Sequence, residues 1–125
     1  MYIIDSFSRK PVYEQIVEQT EKLILIGSLK PDDQMPSVRS LSVSLSINPN
    51  TIQKAYTELD NRGLICSVPG KGCFVTKDAV KRIQNLKRNE VEVFDNIVKE
   101  LVLAGLSADE LKARIDSLYK GGTTQ

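Results

Sequence analysis

The stretch Ser46–Ile65, SINPNTIQKAYTELDNRGLI, decides how the chain is read. Asn48 is a natural N-cap, and Pro49 suits the first helical position, where its missing N–H leaves no bond unmade. Ile52, Ala55, Tyr56 and Leu59 then recur at helical spacing, and Asn61-Arg62-Gly63 supplies a stop. Left on the outer side are Asn50, Thr51, Gln53, Lys54 and Thr57. An ordinary solvated helix face mixes Glu with Lys. This one carries hydrogen-bond donors and acceptors and one cation.

The neighbouring segments give that helix a setting. Before it, Ser37 caps a short helix whose Val38, Leu41 and Leu45 fall at spacings of three and four, with Arg39 near its start on the other side. Two short helices with so little chain between them predict a helix-turn-helix, whose second helix fits a DNA major groove. After it, LICSV at 64–68 and CFVT at 73–76 read as strands joined by Pro69-Gly70-Lys71-Gly72. Further upstream, Pro11 opens a first helix that runs to Gly27. Its inward residues are Val12, Tyr13, Ile16, Val17, Thr20, Leu23 and Ile24, and its outer face carries Glu14, Glu18, Glu21 and Lys22. The Pro- and Asp-rich LKPDDQMPS that follows is a connecting loop. Three helices and a hairpin predict a winged helix.

Bulk charge does not single out a nucleic-acid partner. Seventeen basic against sixteen acidic residues leave a formal charge of +1, so any attraction to phosphate has to be local. Such an asymmetry exists: from Gln34 to Thr57 there is no Asp or Glu, while Arg39 and Lys54 are present. Phosphates repel carboxylates, and each neutralised phosphate adds a salt-dependent share of affinity. Gln and Asn suit adenine, Thr suits a base edge or a thymine methyl, and Arg or Lys suits guanine or phosphate. Asn48 and Thr51 have a competing duty at the helix start, and for Asn48 the cap is the stronger reading. Gln53 and Lys54 lie too far along the helix to cap. Lys71, at a Gly-flanked hairpin tip, suits a phosphate or a minor groove.

Other classes are disfavoured. The 125 residues hold one ordinary domain, or a small domain with a dimerising appendage. The absence of histidine removes the commonest general base and the commonest metal ligand, so no enzyme, cofactor or metal is expected. No apolar run approaches the roughly 20 residues of a membrane span, and Met1–Lys10 lacks the pattern of a signal peptide. No membrane partner and a cytoplasmic location are therefore expected. Cys66 and Cys73, if on one face of the hairpin, are diagonal neighbours about 7–8 Å apart, too far for an easy disulfide. They are read as packing residues, with a redox switch as the alternative.

From Asp78 the chain turns charged and helical. Val80, Ile83 and Leu86, then Val93, Phe94, Ile97, Val98 and Leu101 keep a helical rhythm with an interruption near Asn89-Glu90, which fits one long helix or two pieces. Gly105 ends it, and Ser107-Ala108-Asp109-Glu110 has the form of a capping box opening a last helix with Leu111, Ile115 and Leu118 inward. The tail GGTTQ is expected to fray. Two amphipathic helices cannot cover their own apolar faces unaided, which predicts a symmetric dimer, folding back on the winged helix being the alternative.

Five motifs in order resemble the GntR family of bacterial transcription regulators. They are P-x-Y-E-Q-I at Pro11–Ile16, G-x-L-K-P at Gly27–Pro31, M-P-S-V-R-S-L at Met35–Leu41, N-P-N-T-I-Q-K-A-Y-T-E-L at Asn48–Leu59 and G-K-G-C-F-V at Gly70–Val75. The C-terminal A-G-L-S-A-D-E-L at Ala104–Leu111 is similar to the YtrA-type subfamily. The resemblance implies a mainly helical chain with a small β-hairpin: a winged helix-turn-helix DNA-binding domain over 9–77, then an antiparallel helical dimerisation segment over 78–125. It implies a homodimer on a partly palindromic double-stranded DNA operator, usually repressing and often governing a transporter operon. The candidate DNA contacts are then Ser37, Arg39, Asn48, Asn50, Thr51, Gln53, Lys54, Gly70 and Lys71. The candidate dimer residues are Phe94, Ile97, Val98, Leu101, Leu111, Ile115 and Leu118. Two departures stand out, Ser46 and Asp32, where glycine is common in the family; neither replacement tolerates unusual backbone angles as glycine does. No convergent polar pocket names a small-molecule effector. The rival readings are a winged helix that binds protein and not DNA, and a cysteine-dependent enzyme.

Overall fold

Pro11, with φ −55° and ψ 148°, caps the first helix, α1 (Val12–Leu25), and is not itself its first helical residue. The structure, a computed structural model, describes residues 1–123. After α1 come α2 (Val38–Leu45), α3 (Pro49–Asn61), β1 (Ile65–Val68), β2 (Gly72–Val75), α4 (Ala79–Arg88), α5 (Val91–Leu103) and α6 (Ala108–Thr123). The chain divides into two compact units, Met1–Leu86 and the segment from Lys87 onward.

In the first unit the expected stripes meet. α3 packs against α1 and α2 and leads into β1. Ile16, Val17 and Ile24 of α1, Leu41 of α2 and Ile52, Ala55, Tyr56 and Leu59 of α3 are buried together, and each large side chain removed from water contributes about 1.5–3 kcal/mol. α4 adds Ala79 and Ile83 to this core. So does Tyr2, whose hydroxyl is 2.6 Å from Thr20 Oγ1. The N-terminal arm is docked on α1 by Ile3 N–H donating to Gln19 Oε1 (2.8 Å) and Asp5 N–H donating to Gln15 Oε1 (2.9 Å).

Two expectations are corrected here. Glu21, assigned to the outer face of α1, is 4 % exposed and paired with Arg62 at 3.0 Å. Arg62 caps the C-terminus of α3 and also reaches Glu58 at 3.3 Å, so the end of α3 lies over an arc of α1 wider than its apolar stripe. The cysteines do not share a face. The hairpin pairs Val68 with Gly72, Ser67 with Cys73 and Cys66 with Phe74. Gly72 thus belongs to β2, the link is one residue shorter than Pro69–Gly72, and a one-residue shift of register sends a side chain to the opposite face. Cys73 packs partly buried against the core, and burial pushes its thiol pKa up; Cys66 is exposed.

Among the described residues, Asp32 (φ 70°) and Ser46 (φ 56°) are the non-glycine residues in the left-handed region. Ser46 ends α2, and the turn is tied by the Ser42 hydroxyl donating to the Ile47 carbonyl. Asp32 begins a short run that pairs with β2: Asp32 N–H donates to the Val75 carbonyl (2.9 Å), Val75 N–H to Asp33 (2.8 Å) and Met35 N–H to Cys73 (2.8 Å).

In the second unit, the interruption at Asn89-Glu90 separates α4 from α5. Gly105 (φ +92°) closes the turn after α5, and Ser107 Oγ accepts the Glu110 N–H at 3.1 Å to start α6. No residue of α5 is buried. Leu118, expected inward, is 67 % exposed, and Ile115 is also exposed, because two helices alone do not close around their apolar sides. α6 continues through Gly121–Thr123 despite the helical penalty of glycine, and the rest of the tail that was expected to fray, Thr124 and Gln125, lies outside the described residues.

Candidate nucleic-acid interface

The caps at the starts of α2 and α3 form as their sequences require. Ser37 Oγ accepts the Ser40 N–H at 3.0 Å and Asn48 Oδ1 accepts the Asn50 N–H at 2.8 Å. Both side chains are exposed yet committed to helix starts. With Ile52, Ala55, Tyr56 and Leu59 turned inward, Asn50, Gln53, Lys54 and Thr57 are exposed, and Thr51 is half-buried. Gln53 Nε2 donates to Thr57 Oγ1 at 3.3 Å along the helix. Tyr56 fixes the roll of α3 by donating its hydroxyl to the Pro36 carbonyl at 2.6 Å.

Gln53 and Thr57 stand on a ridge between two grooves. One, of about 640 Å³, lies between α3 and the hairpin and is lined by Gln34, Ser37, Gln53, Thr57, Gly70 and Lys71, and also by the carboxylate-bearing Asp60. The other, of about 440 Å³, runs between α3 and α1 and is lined by Tyr13, Asn50, Gln53, Lys54, Thr57 and Glu58. The structure therefore brings Ser37, Gln53, Gly70 and Lys71 together and sets Asn50 and Lys54 on the other side of the ridge. Arg39 and Thr51 line neither groove. Arg39 is exposed in the first turn of α2, and among the described residues neither it nor Lys71 has an ion-pair partner. Carboxylates reappear only from Glu58 on, at the far end of α3.

Two side chains here escaped sequence reasoning. Tyr13 lies under Lys54, whose Nζ is 4.1 Å from the ring centroid, a cation–π contact. Gln34 Nε2 donates to the Lys71 carbonyl at 3.1 Å. Neither contact leaves a local signal: Tyr13 sits in an inward stripe and Gln34 in a loop. Among the described residues no helix is long and apolar enough to cross a membrane, and no group of three or more His, Cys, Asp or Glu is placed to hold a metal.

An exposed strip of amides, hydroxyls and cations on a three-helix scaffold with a hairpin defines a winged helix-turn-helix protein of the DNA-binding class. The chain belongs to the GntR family of transcription regulators: the profile of bacterial regulatory proteins, gntR family, matches residues 12–75. It is 35 % identical over 126 residues to the HTH-type transcriptional repressor YtrA of Bacillus subtilis (strain 168), covering 98 % of this chain and 97 % of that one. A GntR family transcriptional regulator from Listeria monocytogenes superimposes with a TM-score of 0.74 at 32 % identity, over 91 % of this chain and 98 % of the other. The DNA-binding domain of AraR, solved in complex with operator ORR3, gives 0.52 at 32 % identity over 61 % of this chain and 92 % of that chain.

Proposed function

We propose that the protein is a homodimeric repressor that acts in the cytoplasm on a partly palindromic operator, with residues 9–77 carrying the DNA contact and 78–125 the dimer contact. The observation that carries this reading is that Arg39, Asn50, Gln53, Lys54 and Lys71 are all exposed while the chain from Gln34 to Thr57 holds no Asp or Glu. α3 enters the major groove, Arg39 and Gln53 read bases, and Lys54 and Lys71 hold backbone. Ser37 and Asn48 contribute mainly by presenting helix N-termini to phosphate. The operator complex of AraR, a relative by structure, supports DNA as the partner. The transporter operon as target class rests on the family resemblance.

Dimerisation is supported by the second unit. Phe94, Ile97, Val98, Leu101, Leu111, Ile115 and Leu118 all line one open, mainly apolar cleft of about 820 Å³ between α5 and α6. A two-fold copy covers such a face and presents two α3 helices about 34–36 Å apart, one turn of the duplex.

The test is the salt dependence of duplex binding. Affinity should fall steeply and linearly on logarithmic axes as salt rises, with a slope set by the phosphates neutralised. Weak binding that ignores salt would favour a protein-binding winged helix instead.

A further inference from the structure

The wing tip is held by more than its own hairpin. Its turn runs from Val68 to Gly72, with Lys71 N–H donating to the Val68 carbonyl at 2.9 Å between two glycines at φ +75° and φ +122°. From outside the hairpin, Gln34 Nε2 bonds the Lys71 carbonyl, 37 positions away in sequence. Gln34 is itself anchored: it makes a bridge to Phe74, and the following amide, Met35 N–H, bonds Cys73. The approach is close, since a Cβ on residue 72 would lie 2.6 Å from Gln34 Nε2. Gln34 also shares the groove with Gln53 and Ser37.

The Lys71 side chain has no partner among the described residues, so the backbone of the tip sets where its ammonium can reach. A turn rich in glycine has much freedom to lose on binding, and a bond that fixes it beforehand removes part of that cost. We infer that Gln34 is a positioning residue for DNA binding, bracing the wing so that Lys71 is aimed at the backbone beside the groove that α3 enters. The inference rests on Lys71 being a phosphate contact, as proposed above.

A double-mutant cycle tests it, using fluorescence anisotropy of a labelled mixed-sequence duplex of about 30 base pairs, long enough for two half-sites one turn apart. Gln34 is exposed, so its truncation leaves the core in place. Gln34→Ala should weaken binding about fivefold, the worth of one ordinary hydrogen bond. In a Lys71→Ala background the same change should cost less than about twofold, because the braced charge is gone. An equal loss in both backgrounds would make Gln34 merely structural and overturn the inference. A Lys71→Ala loss with no Gln34→Ala loss would overturn it while leaving the role of Lys71 intact. If Lys71→Ala changes neither affinity nor salt slope, the phosphate contact falls and the inference falls with it.

Discussion

The two units are made from the same kind of amphipathic helix and come to different ends. In Met1–Leu86 the stripes of α1, α3 and α4 meet, and Ile16, Ile52, Leu59 and Ile83 have no exposed surface. In the segment from Lys87 the stripes are as regular, yet Phe94 and Ile97 are each 50 % exposed. A stripe becomes a core only when enough layers surround it. Self-sufficiency in the first unit and incompleteness in the second are what a DNA-reading head and a pairing device would each require.

The sharpest way to break this contrast is Ile97→Glu, which places a charge on the apolar face of α5. The proposed dimer should fall to monomer in sedimentation, and with one head per molecule operator affinity should drop on the order of a hundredfold or more. Circular dichroism of the winged helix should be unaltered. A surviving dimer would mean that another surface pairs the chains.

Ile52→Ala probes the complete core. Urea denaturation should register a loss of about 2–5 kcal/mol in the winged-helix transition, the usual cost of a cavity at a fully buried position. A loss well below this would show a core slack enough to collapse around the gap.

Gln53→Ala leaves both regions folded and should relax preference at one base pair in each half-site, at about 1–3 kcal/mol. A selection that returns the same consensus would remove Gln53 from the reading set. The smallest effect belongs to Ser46→Gly, where relief of left-handed strain is partly offset by a looser unfolded chain, for a gain of about 0.5 kcal/mol. Thermal melting checks the sign, and a loss would mean that serine is at ease in this turn.

Much of the first unit was legible in sequence because its signals are local. Ser37 and Asn48 cap as their identity dictates, Gly27 and Gly63 take positive φ at helix ends, and the stripe of α3 is buried as spaced. Ser46 and Asp32, which take positive φ, stood out only through the family resemblance, as residues at positions where glycine is common. What stayed hidden depends on chain segments far apart. Glu21 meets Arg62 across 41 positions, Gln34 meets Lys71 across 37, and Tyr13 meets Lys54 from another helix. The faces of Cys66 and Cys73 turned on one residue of register at Gly72. In the second unit the apolar periodicity was readable, but a period says only that a face seeks cover, not what covers it.

Whether two copies of α3 read one operator is decided by sequencing the fragments of the source genome that the purified full-length protein retains. A paired reading head should enrich an imperfect palindrome whose half-site centres lie about 10 base pairs apart, or a multiple of that, matching two copies of α3 on one side of the duplex. Retention of fragments with no shared sequence, or of a single unrepeated half-site, would contradict it.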